Sequence, residues 1–92
     1  MATQRFQAGG GAWSASSRIT AQDGTAVLVT NTTTQDVYWA ITEDDAAPAF
    51  AVHHGHPVAA LASQSFELLD GERLWLAASG TEATLTLTTG AA

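Results

Sequence analysis

Ala83-Thr84-Leu85-Thr86-Leu87-Thr88 decides the fold. Its strict alternation sets Ala83, Leu85 and Leu87 on one face of an extended chain and three threonines on the other, the two-residue period of a half-buried β-strand. Wound as a helix, the same residues would scatter their leucines around the axis. Working outward from this stretch, Val37-Tyr38-Trp39-Ala40-Ile41 sends Val37, Trp39 and Ile41 one way in the same manner. Leu74-Trp75-Leu76-Ala77 and Ala26-Val27-Leu28-Val29 are apolar on both sides, so both read as central strands covered on each face.

The dipeptides Asp23-Gly24, Asp70-Gly71 and Ser79-Gly80 separate these runs and accept the positive φ angles of tight turns. Asp70-Gly71 is the sharpest of them, because Phe66–Leu69 and Arg73–Ala78 flank it at hairpin distance. No amphipathic helix of any length is present. Pro48–Val52 and Val58–Ala62 are the only candidates and each spans barely a turn or two, too short to be stable alone. The count comes to about seven strands at the spacing of sandwiches and small barrels. We therefore expect an all-β fold, a single small antiparallel β-sandwich of jelly-roll or immunoglobulin-like type.

Gly9-Gly10-Gly11 interrupts the chain before Trp13 and reads as a hinge. The expected organisation is an extended N-terminal arm over residues 1–11 and a β-sandwich domain over 12–92. The 92 residues suffice for one small core. The start of the chain lacks the basic and apolar regions of a secretory signal, so synthesis and retention in a cytoplasm are expected.

Nine acidic residues against three arginines and no lysine give a formal charge of −6, which leaves too few cations for phosphate-backbone binding. Apolar runs are only a handful of residues long, so a membrane-spanning helix is excluded. The absence of cysteine removes disulfides, thiol catalysis and cysteine-based zinc sites. A small domain without such staples is expected to gain stability by self-association.

All three histidines fall in His53-His54-Gly55-His56. If His54 and His56 share a strand they also share a face, and Glu43, Asp44 or Asp45 would be the carboxylates available to complete a metal site. The spacing resembles the His-x-His of cupin centres, but Pro57-Val58-Ala59-Ala60-Leu61 follows where their glutamate belongs. We read the histidines as a solvated contact loop, with no metal and no cofactor. Glu43-Asp44-Asp45 lacks the alternate ligands and central glycine of an EF-hand and reads as an acidic loop tip that could face a basic partner. Ser63 and Ser65 have no nucleophile elbow around them, and Gly9-Gly10-Gly11 has no Gly-Lys-Ser/Thr after it, so no catalytic residue is assigned. Trp39 and Trp75 sit within apolar strands and are expected in the core. Trp13, among small residues, and Phe6, on the arm, are expected as interface anchors.

The run Ala26–Thr32, Asp36–Thr42, Ser65–Thr81 and Ala83–Thr88 has a recurring form. An apolar strand ends in Asn-Thr, an aromatic strand follows, and a polar strand leads through Asp-Gly to Leu-Trp-x-Ala, Ser-Gly-Thr and an alternating final strand. It resembles small β-sandwich head proteins of tailed bacteriophages, the decoration (cement) proteins and the bases of head fibres, over a span of about two-thirds of the chain. The resemblance implies a non-enzymatic virion protein on the capsid surface, a homo-oligomer such as a trimer or pentamer that binds the major capsid protein. Its arm would reach onto a neighbour, and no direct nucleic-acid or membrane contact is expected. Phe6, Trp13, His53, His54 and His56 are then the expected contact residues. The alternative is a glycan-binding or adhesion module of a head fibre, spike or tail.

Overall fold

The computed structural model describes residues 2–91, with Met1 and Ala92 outside the described residues. Eight strands form: β1 (Ala2–Gly10), β2 (Arg18–Thr20), β3 (Thr25–Thr30), β4 (Val37–Thr42), β5 (His56–Val58), β6 (Ser63–Leu68), β7 (Arg73–Ala78) and β8 (Ala83–Ala91). Among the described residues the helical elements are two three-residue 3-10 turns, at Ala15–Ser17 and Val52–His54. The fold is all-β, as the alternating runs require.

The strands make one sheet in the order β5-β4-β7-β1-β8-β3-β6, with β2 added to β7. This sheet curls until it is nearly closed like a barrel, in place of the two separate layers expected. The continuity comes from β1. Its residues Ala2 to Ala8 pair antiparallel with Thr89 to Ala83 of β8, and its last two, Gly9 and Gly10, pair parallel with Ala77 and Ala78 of β7. Ala2–Gly10 is therefore not a hinged arm but a strand that belongs to both halves of the sheet. Gly10 is needed for close approach: a Cβ there would fall on the Gly80 carbonyl oxygen and within 2.8 Å of the Glu82 nitrogen. Where β1 parts from β7, the buried Ser17 hydroxyl donates to the Gln7 carbonyl at 2.8 Å and accepts from the Gly9 N–H at 3.0 Å, standing in for strand pairing.

Two halves result. One contains β1, β8, β3 and β6; the other contains β5, β4 and β7 with β2. Val27, Val29, Phe66, Leu68, Leu85 and Leu87 of the first face Val37, Leu74, Leu76 and Ala78 of the second to form the core. At the open seam, Trp39 of β4 stacks on His56 of β5 at 4.5 Å and meets Phe66 of β6 edge-on at 4.7 Å. Rings thus close the gap that main-chain pairing leaves between the two end strands.

The Asp70-Gly71 turn forms, with Gly71 at φ 85° and the Glu72 N–H donating to the Leu69 carbonyl at 3.1 Å. It is not a hairpin. β6 pairs with β3 while β7 pairs with β4 and β2, so the turn is an arch between the halves. Burial explains this, because Leu68 and Leu74 on its two sides are both needed in the core, one from each half. The Asp23-Gly24 arch is latched beside it: Asp23 N–H donates to Asp70 Oδ1 at 2.8 Å and Gly71 N–H to the Ala21 carbonyl at 3.1 Å.

A bare sheet face as the candidate interaction site

The outward faces of the two halves differ. On β7, Trp75 and Ala77 point away from the core, yet both are buried. The guanidinium of Arg18, opposite Trp75 on β2, lies over the indole at 5.2 Å from its centre, and the indole N–H donates to Thr42 Oγ1 at 2.8 Å. The loop after β4 then folds back over this surface. Asp45 Oδ1 is 3.0 Å from Arg73 Nε and 3.5 Å from Arg18 Nη1, while the Glu43 carbonyl accepts from Arg73 at 3.1 Å. The acidic run expected at a free loop tip is thus tied down, through Asp45, to two of the three arginines. Asp45 itself remains largely exposed, so each ion pair is weak in isolation and the pair acts by fixing the loop.

The other half has no such roof. Alternation along its strands presents Thr3, Arg5 and Gln7 of β1, Thr84, Thr86 and Thr88 of β8, Ala26 and Leu28 of β3, and Ser65 and Glu67 of β6 to the outside. Neighbouring hydroxyls bond across strands, Thr3 to Thr88 and Thr30 to Ser63, both at 2.8 Å. Leu28 is 44% exposed, at a depression of about 620 Å³ lined by Ala26, Val27, Leu28, Ser65, Phe66 and Glu67. The covering of both faces expected for Ala26–Val29 is therefore present on one face only. Arg5 has no carboxylate within ion-pair distance among the described residues, in contrast to Arg18 and Arg73.

The contact residues expected from the sequence lie away from this face. Phe6 points inward from β1 and packs against the core. Trp13 is half-buried; its indole N–H donates to the Phe50 carbonyl at 2.9 Å, its ring meets Phe50 edge-on at 6.1 Å, and Gly55 packs against it. Both aromatic rings are thus engaged within their own chain. The histidines do not act as one cluster. His53 and His54 sit side by side in a 3-10 turn with ring centres 4.2 Å apart, whereas His56 belongs to β5 and stacks on Trp39. His54 and His56 therefore do not share a strand, and among the described residues no three His, Asp or Glu side chains converge as a metal site would need.

Asn31, which opens the loop between β3 and β4, is the polar counterpart of the core. Fully buried, its Nδ2 donates to the carbonyls of Gln35 at 2.7 Å and Val58 at 3.0 Å, and its Oδ1 accepts from the Thr33 N–H at 3.0 Å. Neither this role nor that of Ser17 was legible in advance, since an Asn-Thr or Ser-Ser pair is ordinary loop composition. The bare face did have a signal, the outward apolar residues of β3. Comparison with known proteins finds no matching family model, no matching curated protein and no matching solved structure.

Proposed function

We propose that this chain is a non-enzymatic structural protein of a bacteriophage head, a decoration (cement) protein that oligomerises and binds the major capsid protein on the outer surface of the capsid. In this reading it is made in the host cytoplasm, and the two halves of the curled sheet serve as the layers of a small jelly-roll- or immunoglobulin-like sandwich. The layer containing β3 faces the capsid. One observation carries the reading: β3 is apolar on both faces, and its outward Leu28 sits uncovered in a hydroxyl-rich sheet face that the chain roofs on its other half. A mixed apolar and hydroxyl surface of this kind suits a protein partner, in which apolar contact supplies the driving force and hydroxyls meet main-chain groups at the rim. The resemblance in the strand and turn sequence is what supports reading that partner as a capsid lattice.

A glycan-binding module would need a ring face free to stack on a sugar. Trp39 is flanked by His56 and Phe66 and Trp75 lies under Arg18, which leaves the part-exposed Trp13–Phe50 pair for such stacking; two of the three tryptophans being covered supports the capsid reading.

The test is co-sedimentation of the purified protein with heads assembled from the major capsid protein encoded beside it. Saturable binding is expected, lost in Leu28→Asp while the circular dichroism spectrum of the free protein is unchanged. The absence of a capsid gene nearby, or pelleting that Leu28→Asp leaves intact, would overturn the proposal.

A further inference from the structure

We propose that the occupant of the chain's exposed strand edges is a second copy of itself, with β1 of one copy pairing antiparallel to β6 of the next so that subunits join head to tail through a continuous sheet. This deepens the reading above by assigning the self-association surface. Among the described residues neither β6 nor the Ala2–Phe6 part of β1 has a strand on its second edge. Such edges offer unpaired N–H and C=O groups to another chain.

The direction fits. β1, β8, β3 and β6 alternate, so β1 and β6 run opposite ways, and a copy moved sideways along the sheet brings its β6 antiparallel to β1. Main-chain orientation fits as well. Ser17 takes the Gln7 carbonyl and Gly9 N–H on the second edge of β1, so by alternation Thr3 and Arg5 also turn their main-chain groups to that edge. On β6, the Asn31 N–H bonded to the Ala62 carbonyl at 2.9 Å continues the β3 ladder at even positions, which leaves Ser65 and Glu67 facing outward. Setting Thr3 opposite Glu67 and Arg5 opposite Ser65 of the next copy therefore makes two hydrogen-bonded pairs and leaves Arg5 and Glu67 as diagonal neighbours on the outward face, within reach of long side chains.

Charge selects this pairing over its rivals. Arg5 is the arginine without an internal ion pair among the described residues, and it lies on one edge; Glu67, also without one, lies on the other, on the same outward face. Pairing β1 with β1 brings two arginines onto one short strand pair, and β6 with β6 brings two glutamates; only the mixed pairing joins opposite charges. Joining unlike edges is a heterologous contact, which builds rings when its rotation closes.

Sedimentation velocity on the wild type, Arg5→Glu, Glu67→Arg and an equimolar mixture of the two variants tests this. The wild type is expected as a discrete species of three or more copies. Each variant alone should associate about tenfold more weakly or worse, with an unchanged circular dichroism spectrum. The mixture should associate more tightly than either variant alone, because the introduced glutamate of one variant meets the introduced arginine of the other at one junction and the native Arg5 and Glu67 meet at the next; a closed ring of an odd number of copies keeps one like-charged junction. A monomeric wild type, variants that assemble like the wild type, or a mixture that stays dissociated would each overturn the proposal. A monomer that still co-sediments with heads would overturn the edge pairing and leave the capsid reading standing.

Discussion

β7 and β3 carry the same kind of sequence and meet different fates. Both are apolar on two faces, and both bury their inward residues in one core. The outward Trp75 of β7 is 2% exposed, whereas the outward Leu28 of β3 is 44% exposed. What separates them is supplied by other parts of the chain: Arg18 and the Asp45 loop reach over the outer face of β7, and no described segment roofs the outer face of β3 at Leu28. An apolar stripe on a strand thus states a demand for cover, and only the tertiary structure says whether the chain meets that demand itself.

The contrast can be broken hardest at Trp75. Replacing it with alanine opens a cavity beneath the Arg18 guanidinium, and a loss of about 3–5 kcal/mol is expected in urea or guanidinium unfolding. A loss below about 1 kcal/mol would mean that the roof is loose and the two faces are alike. Asp45→Asn cuts both ion pairs without removing bulk; because these groups are partly exposed, about 0.5–1 kcal/mol is expected, smaller still in high salt. Thermal melts at low and high ionic strength would check this, and an equal effect at both would refute a charge-based latch. Leu28→Ser should cost no more than this, at most about 0.5–1 kcal/mol, because that side chain is already part-exposed to solvent. A larger loss in the isolated chain would mean that Leu28 serves this fold rather than a partner.

Much of the strand content was legible because alternation is a local property. Leu85 and Leu87 on one face, and Val37 and Trp39 on another, fall where their spacing puts them. Turn positions were legible for the same reason, since Gly71 adopts the positive φ that Asp-Gly invites. The partners of the strands were not. A tight turn fixes two residues' dihedrals, while the choice between hairpin and arch depends on where Leu68 and Leu74 are buried. β1 escaped notice because Thr3-Gln4-Arg5-Phe6-Gln7 has little apolar content; its pairing to β8 is by main chain, with Phe6 and Ala8 packing inward. The glycines after it suggested freedom, and Gly10 is instead a point of tight packing. Phe6 and Trp13 stand isolated along the chain but not in space: Phe6 packs against the core, and Trp13 has Phe50 and Gly55 beside it. For the candidate face the decisive facts are those of the roof, and these depend on a salt-bridged loop that composition cannot place.

The pairing of Ala2–Ala8 with Ala83–Thr89 carries a consequence for the timing of synthesis. Among the described strands only β4 and β5 are consecutive and paired, so nearly every contact joins segments far apart in the chain. Closing such loops precedes any gain from the contacts they permit, which slows folding. A ribosome that has made seven strands holds a chain whose β1 still lacks β8 and whose β3 is missing one neighbour. The domain can complete itself only after the last strand leaves the exit tunnel, and until then its apolar strands are open to whatever chains are being made alongside.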